Sequence, residues 1–159
     1  MSLASVRAWL AANAPDLKLI EVEHSTATVA EAATALGVDP ARIAKTLAIR
    51  AGADTFLLVT RGDARLDNAK SKAELGARPR MLGPDETLAL TGHPVGGVCP
   101  FGLATALPVY IDVSLKPLGI VYPAAGSLNT SVEVEVERLF ALVGDRWVDL
   151  CRLAESPGT

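Results

Sequence analysis

An α+β fold with a mixed β-sheet is what this sequence predicts, and three observations carry the prediction. Candidate strands and helices alternate irregularly around a hairpin signal, without the regular strand–helix repeat of a doubly wound parallel sheet. At 159 residues the chain fits one domain spanning 1–159. That length buries roughly 70% of the unfolded surface, enough for a core without disulfides. Half the residues are hydrophobic but only 4% are aromatic, so the core has to come from Val, Leu, Ile and Ala.

The elements follow in order. Ser2 is placed to cap a first helix in which Leu3, Val6 and Leu10 form an apolar stripe, ending near Asn13 and Pro15. Leu17 to Glu23 alternates weakly and reads as a short strand. Thr28 and Glu31 make a capping box ahead of Val29 to Leu36, with Gly37 as the stop. Asp39-Pro40 opens a further helical turn. Thr46 to Arg50 and Thr55 to Thr60 are strands joined as a hairpin through Ala51 to Asp54. Asp67 caps a helix running to Leu75 and closed by Gly76; another runs from Pro84 to Gly92. Val109 to Val113 and Gly119 to Tyr122 read as strands. Ser131 to Val136 is the cleanest alternation, with Val132, Val134 and Val136 on one side and Glu133 and Glu135 on the other. Glu137 to Val143 is a helix ended by Gly144, Trp147 to Cys151 a last strand, and the final few residues are expected to fray.

Net charge is −3, from 15 basic and 18 acidic residues. That argues against wrapping a long nucleic acid, whose affinity comes mostly from phosphate neutralisation. The charges are unevenly spread. Arg61, Arg65, Lys70, Lys72, Arg78 and Arg80 make one segment basic, and Glu133, Glu135, Glu137, Asp145 and Asp149 make another acidic. The basic segment reads as a dock for a few phosphates or as a solvated face. Cys99 and Cys151 lack metal-ligand spacing and no secretory signal is evident, so reduced thiols in a cytoplasmic protein are expected. No apolar run reaches membrane-helix length. No metal site is indicated.

The richest stretch is Gly92-His93-Pro94-Val95-Gly96-Gly97-Val98-Cys99-Pro100-Phe101-Gly102, with four glycines and two prolines in eleven residues. A flexible linker is polar, whereas this loop carries side chains suited to a core. It reads as a rigid cradle aiming backbone N–H groups at an oxyanion or carbonyl, or as a buried structural turn. Lys45, if extended, shares a face with Leu47 and Ile49, at the edge of the core where an ammonium is costly. It is a site candidate, or it ends the preceding helix and snorkels to solvent. His24 and His93 are far apart in sequence, and nothing in their spacing favours a two-His metal site with carboxylates. His93, beside Pro94, reads as a loop residue rather than a general base. Cys99 reads as a nucleophile or a small core thiol; no charged residue within four positions depresses its pKa. Ser127, Asn129 and Thr130 line a cleft or make a polar turn.

Together these residues resemble the YbaK/ProX family of trans-editing aminoacyl-tRNA deacylases, relatives of the editing domain of bacterial prolyl-tRNA synthetases. The resemblance rests on Ala44-Lys45-Thr46-Leu47, the Gly96 to Gly102 loop, the Pro108 to Val113 strand and the Tyr122 to Val134 segment, in that order, across about Thr28 to Gly144. It implies a single domain with a mostly antiparallel mixed sheet surrounded by helices. The implied activity is hydrolysis of the ester joining a wrongly attached small amino acid to the end of a tRNA, with no cofactor. Lys45 resembles the family's essential lysine, and Gly96, Gly97, Val98, Cys99 and Pro100 resemble the substrate-positioning loop. Cys99 replaces the Ser or Thr common there, and the histidine some members carry near the Asn-Thr pair is not evident. Implied partners are the acceptor end of a tRNA and an aminoacyl-tRNA synthetase, with no membrane. The alternative is a non-catalytic tRNA- or synthetase-binding module of the same fold.

Overall fold

The computed structural model describes Ser2–Leu153, so the expected fraying of the last residues lies outside the described residues. The first half runs α1 (Ser2–Asn13), β1 (Leu19–Glu21), α2 (Val29–Leu36), a 3-10 turn (Pro40–Arg42), β2 (Ile43–Ala51), β3 (Asp54–Arg61), β4 (Ala64–Leu66) and α3 (Asn68–Leu75). The second runs β5 (Pro79–Met81), α4 (Pro84–Thr91), β6 (Val109–Asp112), a 3-10 stretch (Val113–Leu118), β7 (Ile120–Pro123), β8 (Thr130–Val132), β9 (Val134–Glu135), α5 (Val136–Val143), β10 (Arg146–Val148) and β11 (Cys151–Leu153).

Local chemistry explains most helix boundaries. Thr28 accepts from the Glu31 amide at the start of α2, and Gly37 ends it at φ 69°. Asp67 caps α3 through the Lys70 amide, and Gly76 closes it at φ 75°. Pro84 opens α4 and Gly92 ends it at φ 79°. Ser2 departs from expectation: it lies inside α1, and its hydroxyl meets the Gly126 carbonyl and His93 Nδ1 instead of a helix amide.

Long-range pairing reshapes several strands. The β2–β3 connection is shorter than expected, only Gly52 and Ala53, because both strands extend through added cross-strand pairs. The Ser131–Val136 alternation holds in burial, yet the segment splits at Glu133. β8 pairs with β1, β9 pairs with β7, and Val136 already belongs to α5. The predicted last strand also splits, β10 joining β6 in parallel and β11 joining β4. β4 and β5, three residues each, are too short to leave a periodic signal.

The main sheet has the order β10-β6-β3-β2-β7-β9, with β5 also on β2. It is mixed. β6–β3, β10–β6 and β2–β7 are parallel, while β2–β3, β2–β5 and β7–β9 are antiparallel; β1–β8 and β4–β11 form two separate antiparallel pairs. Both faces of the central strands are covered, which is why Phe56-Leu57-Leu58-Val59 reads as an unbroken apolar run. Ala44, Ala48, Leu57, Val59, Val109 and Ile111 face a core containing Val6, Leu10, Cys99 and Phe101. Ile49, Phe56 and Leu58 face a second core with Ala64, Val148, Leu150 and Cys151. Each fully buried large aliphatic contributes about 1.5–3 kcal/mol.

One consequence of this topology positions the site. The edge of β2 opposite β3 is shared by two strands that do not meet. β7 covers Ile43 and Ala44, and β5 covers Ile49 to Ala51. β7 ends at Pro123. Between the two, β2 is left open.

Candidate functional site

A cleft of about 380 Å³ lies along this opening. Its floor is Ala44 to Ala48 of β2; the start of α2, Leu82, Thr87 of α4, Val95, Gly96 and Val98 of the loop, and Tyr122, Ala124 and Ser131 form the sides. Most of these side chains are small and apolar, so the few polar atoms among them set what the cleft recognises.

Two of those atoms are unpartnered. Thr46 Oγ1 and Thr26 Oγ1 are both buried without a hydrogen-bond partner, and Thr26 is only 6% exposed. A buried, unsatisfied hydroxyl costs about 1–3 kcal/mol, and two lining one cleft point to a bound polar group. The backbone adds to this. Ala48 O accepts from Leu82 N at 3.0 Å across the open edge. Backbone groups two residues apart face the same edge, so Thr46 presents its N–H and C=O there too, with a strand partner only at its β3 pairing.

Lys45 occupies the third position of β2, which excludes a role ending the preceding helical turn. It lines the cleft, but alternation sends its side chain to the opposite face from Thr46, with Leu47 and Ile49, and its Nζ donates to the Ala64 carbonyl. Burial pulls its pKa below the usual lysine range, a shift opposed by nearby Asp63. Asp63 is itself held by Arg61 through bonds of 2.6 and 2.9 Å.

The glycine-rich loop divides in two. Gly96 and Val98 line the cleft, with exposed Val95 at its mouth. Gly97, Cys99 and Pro100 lie behind it. Gly96 adopts φ 96° and packs on Ala27 and Leu128. The Gly97 amide, expected to face a substrate, donates to Pro94 O at 2.9 Å, and Gly97 O accepts from Gly126 N at 3.0 Å. The loop is thereby stitched to the 126–128 turn. Cys99 is fully buried, and burial pushes its thiol up to about 12, so a thiolate nucleophile has no support there. His93 is likewise buried. The Phe101 carbonyl accepts only, so Nε2 carries the proton donated to it at 2.7 Å. Burial lowers the His93 pKa, leaving a neutral ring that braces the loop.

Ser127, Asn129 and Thr130 also stand behind the cleft wall. Ser127 Oγ lies 2.6 Å from Thr130 Oγ1 and donates to Asn129 Oδ1 at 3.0 Å. Asn129 Nδ2 donates to Val22 O at 3.0 Å. This closed network holds Ser131 and the Thr26 segment in place, the latter through Thr26 N to Leu128 O. Thr26, Thr87, Ser131 and Tyr122 are lining residues that sequence reasoning did not single out. Thr46 had a signal: a hydroxyl alternating with Ala44 and Ala48 on a core face. Among the described residues no cluster of three His, Cys, Asp or Glu side chains is arranged to hold a metal ion.

Residues 23–142 match the family described as the aminoacyl-tRNA editing domain. The chain is 45% identical over 154 residues to the uncharacterized protein YwhH of Bacillus subtilis, covering 96% of this chain and 98% of that one. It is 32% identical over 119 residues to a proline–tRNA ligase of Citrifermentans bemidjiense, covering 74% of this chain but 21% of the ligase, so it spans about one fifth of that enzyme's length. A crystal structure provisionally described as a trans-editing enzyme for prolyl tRNA synthetase superposes with a TM-score of 0.87 at 33% identity, covering 95% of this chain and 97% of the other.

Proposed function

We propose that this chain, which belongs to the aminoacyl-tRNA editing domain family, hydrolyses in trans the ester of a tRNA mischarged with a small amino acid. The supporting observation is the cleft at the open edge of β2, where two unpartnered hydroxyls and the Thr46 backbone face a wall of Ala27, Ala32, Ala48 and Val98. The small apolar side chains of that lining support Ala, Cys or Ser as the residue removed. A pocket of this kind separates residues differing by one methylene by only about 1–3 kcal/mol, so rejection of bulk is its main discrimination.

An aminoacyl ester is already activated, so modest catalysis suffices. Water adds to the ester carbonyl carbon, and the tetrahedral oxyanion takes the Thr46 N–H as a preorganised donor. One such donor contributes about 3 kcal/mol. Collapse breaks the bond to the ribose oxygen, which takes up the proton shed by the added water, releasing the amino acid and a tRNA with a free hydroxyl. Lys45, one residue away and engaged by Ala64 on the opposite face of β2, supplies positive charge near the open edge. Gly96 to Pro100 set the opposite wall, directly through Gly96 and Val98 and indirectly through Gly97, Cys99 and Pro100. Ser127, Asn129 and Thr130 support that wall. The acceptor end of tRNA is the partner, with an aminoacyl-tRNA synthetase as the source of the substrate.

The engagement of the Lys45 ammonium by Ala64 favours the second reading, a non-catalytic tRNA- or synthetase-binding module. Purified protein assayed against a panel of mischarged tRNAs separates the two. Release of Ala, Cys or Ser, with bulky residues retained, is expected. Retention of every amino acid alongside intact tRNA binding leaves the binding module.

A further inference from the structure

We propose that β5, the Arg78 that precedes it and α3 form a docking strip for the phosphates of a single-stranded RNA 3′ end and lead it into the cleft; that the RNA is an aminoacylated tRNA rests on the deacylase reading above. The fold sorts the six cations between Arg61 and Arg80 into two kinds. Arg61 is engaged by Asp63, and Lys70 by Asp149 at 3.1 Å and by Cys151 O at 3.0 Å. Arg65 lies on β4 opposite Arg152 of β11, outside the cleft lining and on the Lys45 side of β2. Lys72, Arg78 and Arg80 are exposed and have no ion-pair partner among the described residues.

These three are contiguous. Arg78 lines a groove with Asn68, Ala69 and Lys72 on one side and another with Arg50, Gly52 and Arg80 on the other. Arg80 stands directly opposite Arg50 in the β2–β5 ladder. Like charges in that position repel. Glu86 takes up Arg50, with Nη1 at 3.3 Å from Oε1, and the charge of Arg80 remains. The Asp67 carboxylate at the head of α3 is occupied as the helix cap. Unrelieved cations in a line are a cost that an extended polyanion removes.

Direction follows from what adjoins the strip. Met81, next after Arg80, lines the cleft and is 51% exposed; Val95 on the facing loop is 59% exposed. Two exposed apolar side chains at the mouth offer a surface for an unstacked base. On the other flank Tyr122, also lining the cleft, donates to exposed Glu133 at 2.8 Å, and the Arg42 guanidinium is taken up by the Leu118 and Ile120 carbonyls. Phosphates therefore approach over β5 and not across β9. With a net charge of −3, the contact stays local.

The test measures binding of an unacylated tRNA and of a short single-stranded oligoribonucleotide across a salt series, with hydrolysis of an aminoacyl-adenosine as a separate readout. Three phosphates give a slope of about −2 in log affinity against log salt. Arg78→Glu combined with Arg80→Glu should weaken binding on the order of tenfold or more and bring the slope toward about −0.7. Lys72→Glu should do so less, and Arg65→Glu, the same charge change elsewhere, should leave binding intact. Unchanged affinity in the double variant, an equal loss in Arg65→Glu, or a loss confined to binding of an acidic synthetase overturns the strip. Aminoacyl-adenosine hydrolysis should survive the double variant. Hydrolysis with strip-independent RNA binding removes the strip and keeps the deacylase; strip-dependent binding without hydrolysis does the reverse.

Discussion

The two walls of the cleft are built by different physics. The β2 wall is sheet backbone whose register is set by eight cross-strand pairs to β3, and its polar atoms at Thr46 are left unspent. The glycine-loop wall is irregular chain whose shape depends on close contact with the 126–128 turn, and its Gly97 amide is spent internally. One wall offers chemistry on a rigid support; the other offers shape. Substitutions in the first should act mainly on substrate handling, and substitutions that crowd the backbone of the second should alter turnover and stability together.

Gly97→Ala should have the largest effect. An added Cβ would sit 2.8 Å from Ser127 N and 3.0 Å from Gly126 C and Ser127 O, all backbone atoms that cannot step aside. Overpacking of this kind costs about 1–3 kcal/mol, and the displaced wall should abolish most deacylation. Turnover and thermal melting check it together; wild-type turnover would mean the loop wall does not shape the site.

Lys45→Met should come next, removing most deacylation without loss of stability, because a half-buried ammonium is exchanged for an apolar chain of similar length. Lys45→Arg should also be poor, since a planar fork does not replace a compact ammonium. The pH dependence has a defined sign. With the folded-state pKa of Lys45 pulled below 10.5, the unfolded chain binds more protons between the two values, so stability gains with rising pH in that window. Urea midpoints should show this contribution in the parent and lose it in Lys45→Met.

Thr26→Val and Thr46→Val should act in opposite directions on the free protein and on the substrate complex. Removing an unsatisfied buried hydroxyl should raise stability by about 1 kcal/mol while raising KM more than it lowers kcat. A fall in stability would show that these hydroxyls already have partners.

Cys99→Ala should have the smallest effect. Its thiol is fully buried and pushed up to about 12, so turnover should persist, with a packing loss of about 1 kcal/mol. Alkylating reagents near pH 8 should leave folded Cys99 unmodified, and inactivation by its alkylation would reinstate it as a nucleophile.

The contrast between the walls also shows where sequence reasoning reached. Lys45 was placed on the Leu47/Ile49 face by alternation alone, and the structure has it there. Alternation did not reveal that the cleft opens mainly onto the other face, because both faces of β2 are buried and an apolar pattern does not rank them. The loop was legible as an apolar, glycine-bearing structure. Its division at Val98, with Cys99 and Phe101 in the core, depends on α1 and β6 packing behind it. Thr26 carried no signal, since its burial arises from Leu128 and from the start of α2.

Sequence by itself determined the features whose partners lie within a few residues: the Thr28–Glu31 capping box, the Asp67 cap, the glycine stops of α2, α3 and α4, and the β2–β3 hairpin. Their energetics close locally, so a short window contains every interacting group. Tertiary structure alone decided the split of residues 131–136 between two partners, the turn of Ser2 toward His93, and the gap in the β2 edge where the cleft forms. That gap exists because β5 and β7, distant from β2 in the chain, reach its edge at opposite ends and stop short of each other. Where a strand stops pairing is set by the three-dimensional positions of its neighbours, which no local pattern of side chains encodes.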